Sequence, residues 1–363
     1  MPESNLSKSD VFLDLFVLEL ANNHWGSLER GKEIIRQHGR VMQEEGVKAA
    51  IKFQFRDVDT FVHDTFKVPD KVDRKGEVIA APGSSSRYIK KTIATKLTPS
   101  EFDELLTEVR RHRLGTMATP FDERSVEWCK DMDIDIVKIA SQDAKSWTLI
   151  ERIVGIGKPT IISNGGTDIT DLDRVVELFD KEGVPLAINH CVSLYPSEDY
   201  HLELNQIDFL RERYPGHVIG FSTHEYNDWS SSMHIAAAKG ARTFERHVDI
   251  QDAEGTPVST YCSLPHQIQE WIRTYKKGQE MMGGSSAVPR VPSEKELKYV
   301  QSVSRGLYAL RDLPVGSVIS KDGLGTDFSF AIPLQENQIS SRDLAEELVL
   351  KKGIKKGEPI FFE

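Results

Sequence analysis

The sequence predicts a (β/α)8 barrel followed by a small, turn-rich C-terminal domain. Three observations carry that prediction. Eight short apolar runs alternate with amphipathic stretches across about 250 residues, the strand-then-helix rhythm of an α/β barrel. No GxGxxG turn follows the first run, which weakens the rival, a doubly wound sheet that binds a dinucleotide. A Gly/Ser/Pro-rich stretch, GGSSAVPRVPSE at 283–294, then sets the last residues apart.

The candidate strands are LFVLELA (15–21), KAAIKFQ (48–54), GTMATP (115–120) and DIVKIAS (135–141), then PTIISNG (159–165), PLAINHC (185–191), VIGFS (218–222) and RTFERH (242–247). The stretches between them have helical periodicity. In DLDRVVELFDKEG the apolar residues Leu172, Val175, Val176 and Phe179 fall on one face. Residues 56–96 form a long irregular insertion after the second strand, with the loop-like APGSSSRY inside it. Long connections on this face of a barrel are often binding loops or lids. The domains are therefore expected at 1–282 and 295–363, with a linker at 283–294. Within the second, LPVGSVIS (313–320) and IKKGEPIF (354–361) each set a glycine turn between apolar positions, a hint of internal pseudo-symmetry.

Composition removes several function classes. A net charge of −10 argues against a nucleic-acid-binding surface. No apolar run approaches the roughly 18 residues of a membrane span, and the first ten residues lack a secretory pattern, so a cytoplasmic protein is expected. The three scattered cysteines suit a reducing compartment and show no metal-knuckle spacing.

In a barrel the chemistry sits at the C-terminal ends of the strands. Polar residues stand at all eight expected ends: Glu19; Lys52 and Gln54; Thr119; Lys138, Ser141 and Asp143; Ser163 and Asn164; Ser193 and Tyr195; Ser222 and His224; and His247. A single lysine at a strand end is more often a surface side chain with its head in water. Convergence from eight strands is what argues for a site. Two lysines among several hydroxyls suit a phosphate-bearing substrate. His224 and His247 end adjacent strands and could share a divalent metal, although a hydrogen-bonded structural pair is the commoner use of two such histidines. His24 and His190 also stand near strand ends, where a structural role is open for both.

The ordered set ELANNHWGSLERGKEII, AIKFQ, ATPFDERSVEW, VKIAS, ISNGG, HCVSLYP, GFSTHE and FERHVD resembles the signatures of the sialic acid synthase family, and the C-terminal segment resembles that family's antifreeze-like domain. The resemblance implies a condensation of phosphoenolpyruvate with an open-chain aldose. It implies that Lys52, Thr119, Lys138, Ser141, Ser163, Ser193 and Ser222 hold phosphoenolpyruvate. His224 and His247 would bind a divalent metal, commonly manganese. Glu19 would handle the attacking water, and Gln54, Asp143 and Tyr195 would face the sugar. A homodimer whose small domain caps the partner's barrel is implied as well. The alternatives are a synthase of a shorter ulosonate from another, phosphorylated aldose, and a non-catalytic glycan-binding relative.

Two departures concern the sugar. Family members that use N-acetylmannosamine carry an aspartate in a Gly-Pro-Asp turn after the second metal histidine, where this chain reads EGTPVST. They also carry an arginine in an Arg-Pro-Gly turn, where this chain reads LGTDFSFAIPL. A different acceptor aldose is therefore expected, met by Thr256, Ser259, Thr260, Tyr261, Phe328 and Ser329.

Overall fold

Parallel strands covered on both faces read as nearly continuous apolar runs, and the eight runs in this chain form such strands. The computed structural model describes residues 10–67, 71–72, 78–79, 86–226, 228–284, 287–345 and 347–362. The chain divides into two units, residues 1–283 and 284–363.

The first unit is a closed parallel barrel. We number its strands β1 (Leu15–Glu19), β2 (Ala49–Phe55), β3 (Gly115–Pro120), β4 (Ile136–Ile139), β5 (Thr160–Ser163), β6 (Leu186–Cys191), β7 (Val218–Thr223) and β8 (Thr243–His247). Each pairs with its neighbour in sequence, and β1 closes on β8 with Glu19 beside His247. The main helices between strands are α1 (Leu28–Glu45), α2 (Pro99–Arg111), α3 (Glu123–Asp131), α4 (Trp147–Gly155), α5 (Ile169–Glu182), α6 (Gln206–Arg213) and α7 (Trp229–Ala238); α8 (Pro265–Met282) follows β8. Leu172, Val175, Val176 and Phe179 of α5 are all buried, as their spacing predicts.

Alternation along each strand sorts the barrel interior into storeys. At the N-terminal end Leu15, Val17, Ala50, Met117, Ile136, Ile161 and Ala187 fill the lumen, and Phe12 from a 3-10 turn packs with them. Two residues further along each strand the same inward face becomes polar: Glu19, Lys52, Thr119, Lys138, Ser163 and Asn189. The outward residues Phe16, Leu18, Ile51, Phe53, Val137, Ile162, Ile188 and Phe244 join the helices in the main core.

The insertion is more regular than the sequence suggests. It contains a short helix (Val58–Phe61), a two-strand ladder (Lys71–Val72 with Val78–Ile79) and a helix (Ser86–Ala94). Of the loop-like APGSSSRY, residues 81–85 lie outside the described residues, while Ser86–Tyr88 open the last of these helices.

The second unit has its own core of Leu307, Ala309, Leu313, Ile319, Phe328, Ile339, Leu344, Leu350 and Ile360. Its two similar segments meet at equivalent positions. Leu313 N–H donates to the Ile354 carbonyl at 2.8 Å, and Ile354 N–H donates back at 2.9 Å. Three residues on, Gly316 and Gly357 take φ of 86° and 84°, a left-handed conformation that disfavours side chains. This is the geometry of a pseudo-twofold. It also corrects one expectation: Phe328 is wholly buried inside its own unit, so it offers no ring to a sugar.

Candidate active site

The polar storey opens into a cavity of about 490 Å³ at the C-terminal ends of the strands. Glu19, Lys52, Gln54, Thr119, Lys138, Ser141, Ser163, Ser193, Tyr195, Ser222, His224 and His247 all line it. Asp143 does not. Strand β4 stops at Ile139, and the 3-10 turn Ser141–Asp143 leaves Gln142 rather than Asp143 in the cavity lining. Burial pushes the Asp143 carboxyl up to about 6. Of the expected sugar-facing loop 252–263, only Tyr261 lines the cavity; Thr256 instead donates to Asp252 at 2.6 Å.

At the floor, Glu245 ties the two lysines together. Its carboxylate lies 2.8 Å from Lys138 Nζ and 3.5 Å from Lys52 Nζ, and accepts from Ser222 Oγ at 3.2 Å. Lys138 donates to Ser163 Oγ at 2.6 Å, and Lys52 donates to Thr119 Oγ1 at 3.1 Å while pairing with Glu19. Glu19 Oε1 accepts the Ala21 N–H at 2.7 Å, which orients the carboxylate. Burial alone would raise the Glu245 pKa, but the charges of Lys138 and Lys52 outweigh it and hold the carboxyl well below its usual range. Burial lowers Lys52 to about 8 against the pull of Glu245, so it still carries its proton at neutral pH.

One wall is built for close approach. Gly165, just past β5, donates its N–H to Ser141 Oγ at 3.0 Å and accepts from Ser193 Oγ at 3.4 Å. A Cβ there would lie 2.3 Å from Ser193 Oγ, so glycine is what lets the hydroxyls of Ser141 and Ser193 close on the end of β5.

His224 and His247 stand with ring centroids 5.4 Å apart, and Tyr195 lies 4.0 Å from the His224 ring. Burial lowers His224 to about 4 and holds His247 well below its usual value, so both imidazoles are neutral at pH 7. His224 directs Nδ1 at the Val192 carbonyl at 3.0 Å, which leaves Nε2 for a ligand. His247 Nδ1 is buried without a hydrogen-bond partner among the described residues. Two neutral imidazoles with unspent lone pairs fit a divalent metal. Among the described residues no group of three or more His, Cys, Asp or Glu is arranged to hold one, so water and substrate would complete the set. His190 and His24 lie elsewhere. His190 Nε2 bonds the Leu202 carbonyl at 2.7 Å, and His24 Nδ1 accepts the Gly26 N–H at 3.0 Å.

The sequence reading passed over Glu245, Arg56 and Tyr88, all of which line the cavity. Parity would have found Glu245, because it stands two residues before His247 on the same strand face. It would also have found Arg56, which continues the inward series Lys52, Gln54. Tyr88 comes from the insertion helix, and no local pattern points to it.

Comparison with known proteins gives a consistent result. The model of the NeuB family matches residues 41–287. The fold is similar to a crystal structure of a protein described as spore coat polysaccharide biosynthesis protein E from Chromobacterium violaceum, with a TM-score of 0.83 and 32% identity over 96% of this chain and 98% of that one. The chain is 26% identical to the N-acetylneuraminate-9-phosphate synthase of Drosophila melanogaster, over 78% of this chain and 73% of the relative. It is 25% identical to the N,N'-diacetyllegionaminic acid synthase of Legionella pneumophila, over 85% and 83%.

Proposed function

Because the chain belongs to the NeuB family and is an enzyme of the synthase type, we propose that it joins phosphoenolpyruvate to an open-chain aldose, giving a 3-deoxy-ulosonic acid and phosphate. The observation that carries this reading is the buried floor. Lys52 and Lys138, from separate strands, stand among the hydroxyls of Thr119, Ser163 and Ser222. Such a floor can take an anion by exchange. When phosphoenolpyruvate enters, the lysines turn part of their hydrogen bonding from Glu19 and Glu245 to its phosphate and carboxylate, and Ser141 and Ser193 add donors from the Gly165 wall.

That exchange frees Glu19. C3 of phosphoenolpyruvate forms a bond to the aldehyde carbon, whose oxygen takes up the proton released when water adds at C2. Water adds at C2, and Glu19 is placed to orient it and accept its proton. The C2 intermediate then expels phosphate by C–O cleavage, its hydroxyl proton leaving with the phosphate, and the ketone remains. His224 and His247 would hold a divalent metal, commonly manganese, and such an ion would supply Lewis acidity toward the aldehyde oxygen.

The acceptor we propose is an aldose other than N-acetylmannosamine. The only carboxylates lining the cavity among the described residues are Glu19 and Glu245, both engaged with lysines. Asp252, in the loop beyond β8, is bound to Arg30 and Thr256. Phosphate release from phosphoenolpyruvate, measured with N-acetylmannosamine, neutral aldoses and aldose 6-phosphates, tests both statements. No aldose-dependent release would overturn the synthase reading. A kcat/KM for N-acetylmannosamine above all the others would overturn the acceptor.

Removing metal with a chelator should abolish turnover, and manganese should restore it. His224→Asn and His247→Asn should each lower manganese affinity by at least about tenfold in calorimetric titration. Full activity of the stripped protein contradicts the metal assignment.

A further inference from the structure

A buried cation is costly unless something answers its charge, and Arg56 is such a cation. It is 6% exposed and forms no ion pair among the described residues. The groups it touches directly are neutral. Nη2 donates to Gln54 Oε1 at 2.8 Å and to Tyr88 Oη at 3.1 Å, and the guanidinium lies over the Phe121 ring at 3.9 Å. Nε is buried with no hydrogen-bond partner among the described residues. Burial lowers its pKa, but an arginine keeps its proton. The carboxylates whose charge reaches it are Asp143, which accepts from Ser146 at 3.4 Å and keeps Oδ2 buried without a partner among the described residues, and Asp122, which is bound to Ser125 and the Asp57 N–H; neither forms an ion pair with it.

Arg56 faces the catalytic cavity, at a different level from the lysines. Lys52, Gln54 and Arg56 alternate along one face of β2 and its end, and all three line the cavity. At about 3.3 Å per residue, Arg56 stands some 13 Å along the strand from Lys52, toward the rim. Lys52 and Lys138 have carboxylate partners at the floor, whereas Arg56 is in no ion pair among the described residues. Lys91, whose ammonium lies over the Trp25 ring at 4.8 Å, also lines the cavity. The aromatic clamp of Phe121 and Tyr88 holds the guanidinium plane in place, which favours the two-pronged binding of a planar or tetrahedral oxyanion.

From this arrangement we infer that Arg56 is a specificity-determining residue that binds an acidic group, phosphate or carboxylate, carried by the acceptor aldose. The inference rests on the synthase reading, in which phosphoenolpyruvate occupies the floor and the acceptor lies between floor and rim. It names the class of acceptor: an aldose phosphate or a uronate-type aldose, with its aldehyde directed down and its acid directed up. The two sources of the acidic group share one chemistry, and the probes below separate them.

The experiment compares mannose, mannose 6-phosphate and mannuronate in wild type, Arg56→Gln and Arg56→Lys. Phosphate release is measured at saturating phosphoenolpyruvate, and acceptor binding is measured by calorimetry on the same proteins. Wild type should prefer an acidic probe over mannose. Arg56→Gln should raise the KM and Kd of that probe by about 10- to 100-fold, the loss of one charge-assisted contact, and leave mannose unchanged. Arg56→Lys should fall between. Whichever acidic probe shows the preference identifies the anion. Because each variant is compared with itself on neutral and acidic probes, a general loss of folding cannot imitate the result. Equal binding of acidic and neutral probes by wild type overturns the inference. So does an Arg56→Gln effect confined to the KM for phosphoenolpyruvate, which would assign the guanidinium to the first substrate. In either case phosphate release with some aldose would leave the synthase reading standing. Absence of release with every aldose, while phosphoenolpyruvate still binds, would remove that reading and with it the acceptor role of Arg56.

Discussion

Glu19→Gln should leave phosphoenolpyruvate binding intact and lower turnover by about 10²- to 10⁴-fold, the usual contribution of a positioned general base. The amide keeps the size of the carboxylate, and its oxygen can still accept the Ala21 N–H that orients Glu19. Lys52 loses its partner in Glu19 but retains Thr119 at 3.1 Å and Glu245 at 3.5 Å, so the floor stays built. What disappears is the group that, in the proposed mechanism, takes the proton of the water adding at C2. Calorimetry with phosphoenolpyruvate and a phosphate-release assay on one preparation give the two halves of the result. Near-normal turnover would remove Glu19 from the mechanism, and a parallel loss of binding would reassign it to holding Lys52.

Glu245→Gln should cost stability before it costs chemistry. Glu245 is the shared counterion of two buried ammonium groups, and removing one partner of a buried ion pair typically costs about 3–5 kcal/mol. Denaturant unfolding should show that loss, and added phosphoenolpyruvate should recover part of it, because an anion that binds only the folded chain replaces the missing charge. The pH dependence follows from the depressed carboxyl. Its stabilising contribution is fully present above the ordinary glutamate value of about 4.3 and is lost as pH falls from there toward the lower folded-state value. The variant should lack that part of the acid destabilisation. A variant within about 1 kcal/mol of wild type at pH 7, with an unchanged acid limb, would show that the lysines do not depend on Glu245.

These two residues also mark where the sequence was legible. All eight strands could be read, because a strand buried on both faces is an apolar run bounded by turn residues, and Glu19 stands conspicuously at the end of the first. Glu245 was hidden between Phe244 and Arg246 in a run of mixed character. The basic pair Arg246-His247 drew attention to both members, although Arg246 points outward to pair with Glu225 at 3.0 Å and Ser263 at 2.5 Å. Asp143 was drawn into the site by a strand read two residues too long. The backbone beyond Ile139 turns in a 3-10 helix, and no residue type in KIASQDA announces that turn. Tyr88 reaches the cavity from an insertion helix 32 residues after Arg56, a meeting set by tertiary packing alone. Phe328 erred in the opposite direction: an aromatic in a turn-rich segment looked available, but a small unit needs its largest side chains for its own core.

The storeyed interior of the barrel has a practical corollary for laboratory evolution. Residues that fill the apolar lower storey and residues that line the cavity occupy the same strands but not the same level, two positions apart. A combinatorial library confined to the rim, at Gln54, Arg56, Tyr88 and Tyr195, would therefore sample acceptor preference while leaving Val17, Ala50, Met117 and Ile161 untouched. Most members of such a library should fold. Their failures would then report on recognition, which makes the barrel a scaffold on which new sugar acids can be sought by selection rather than by redesign.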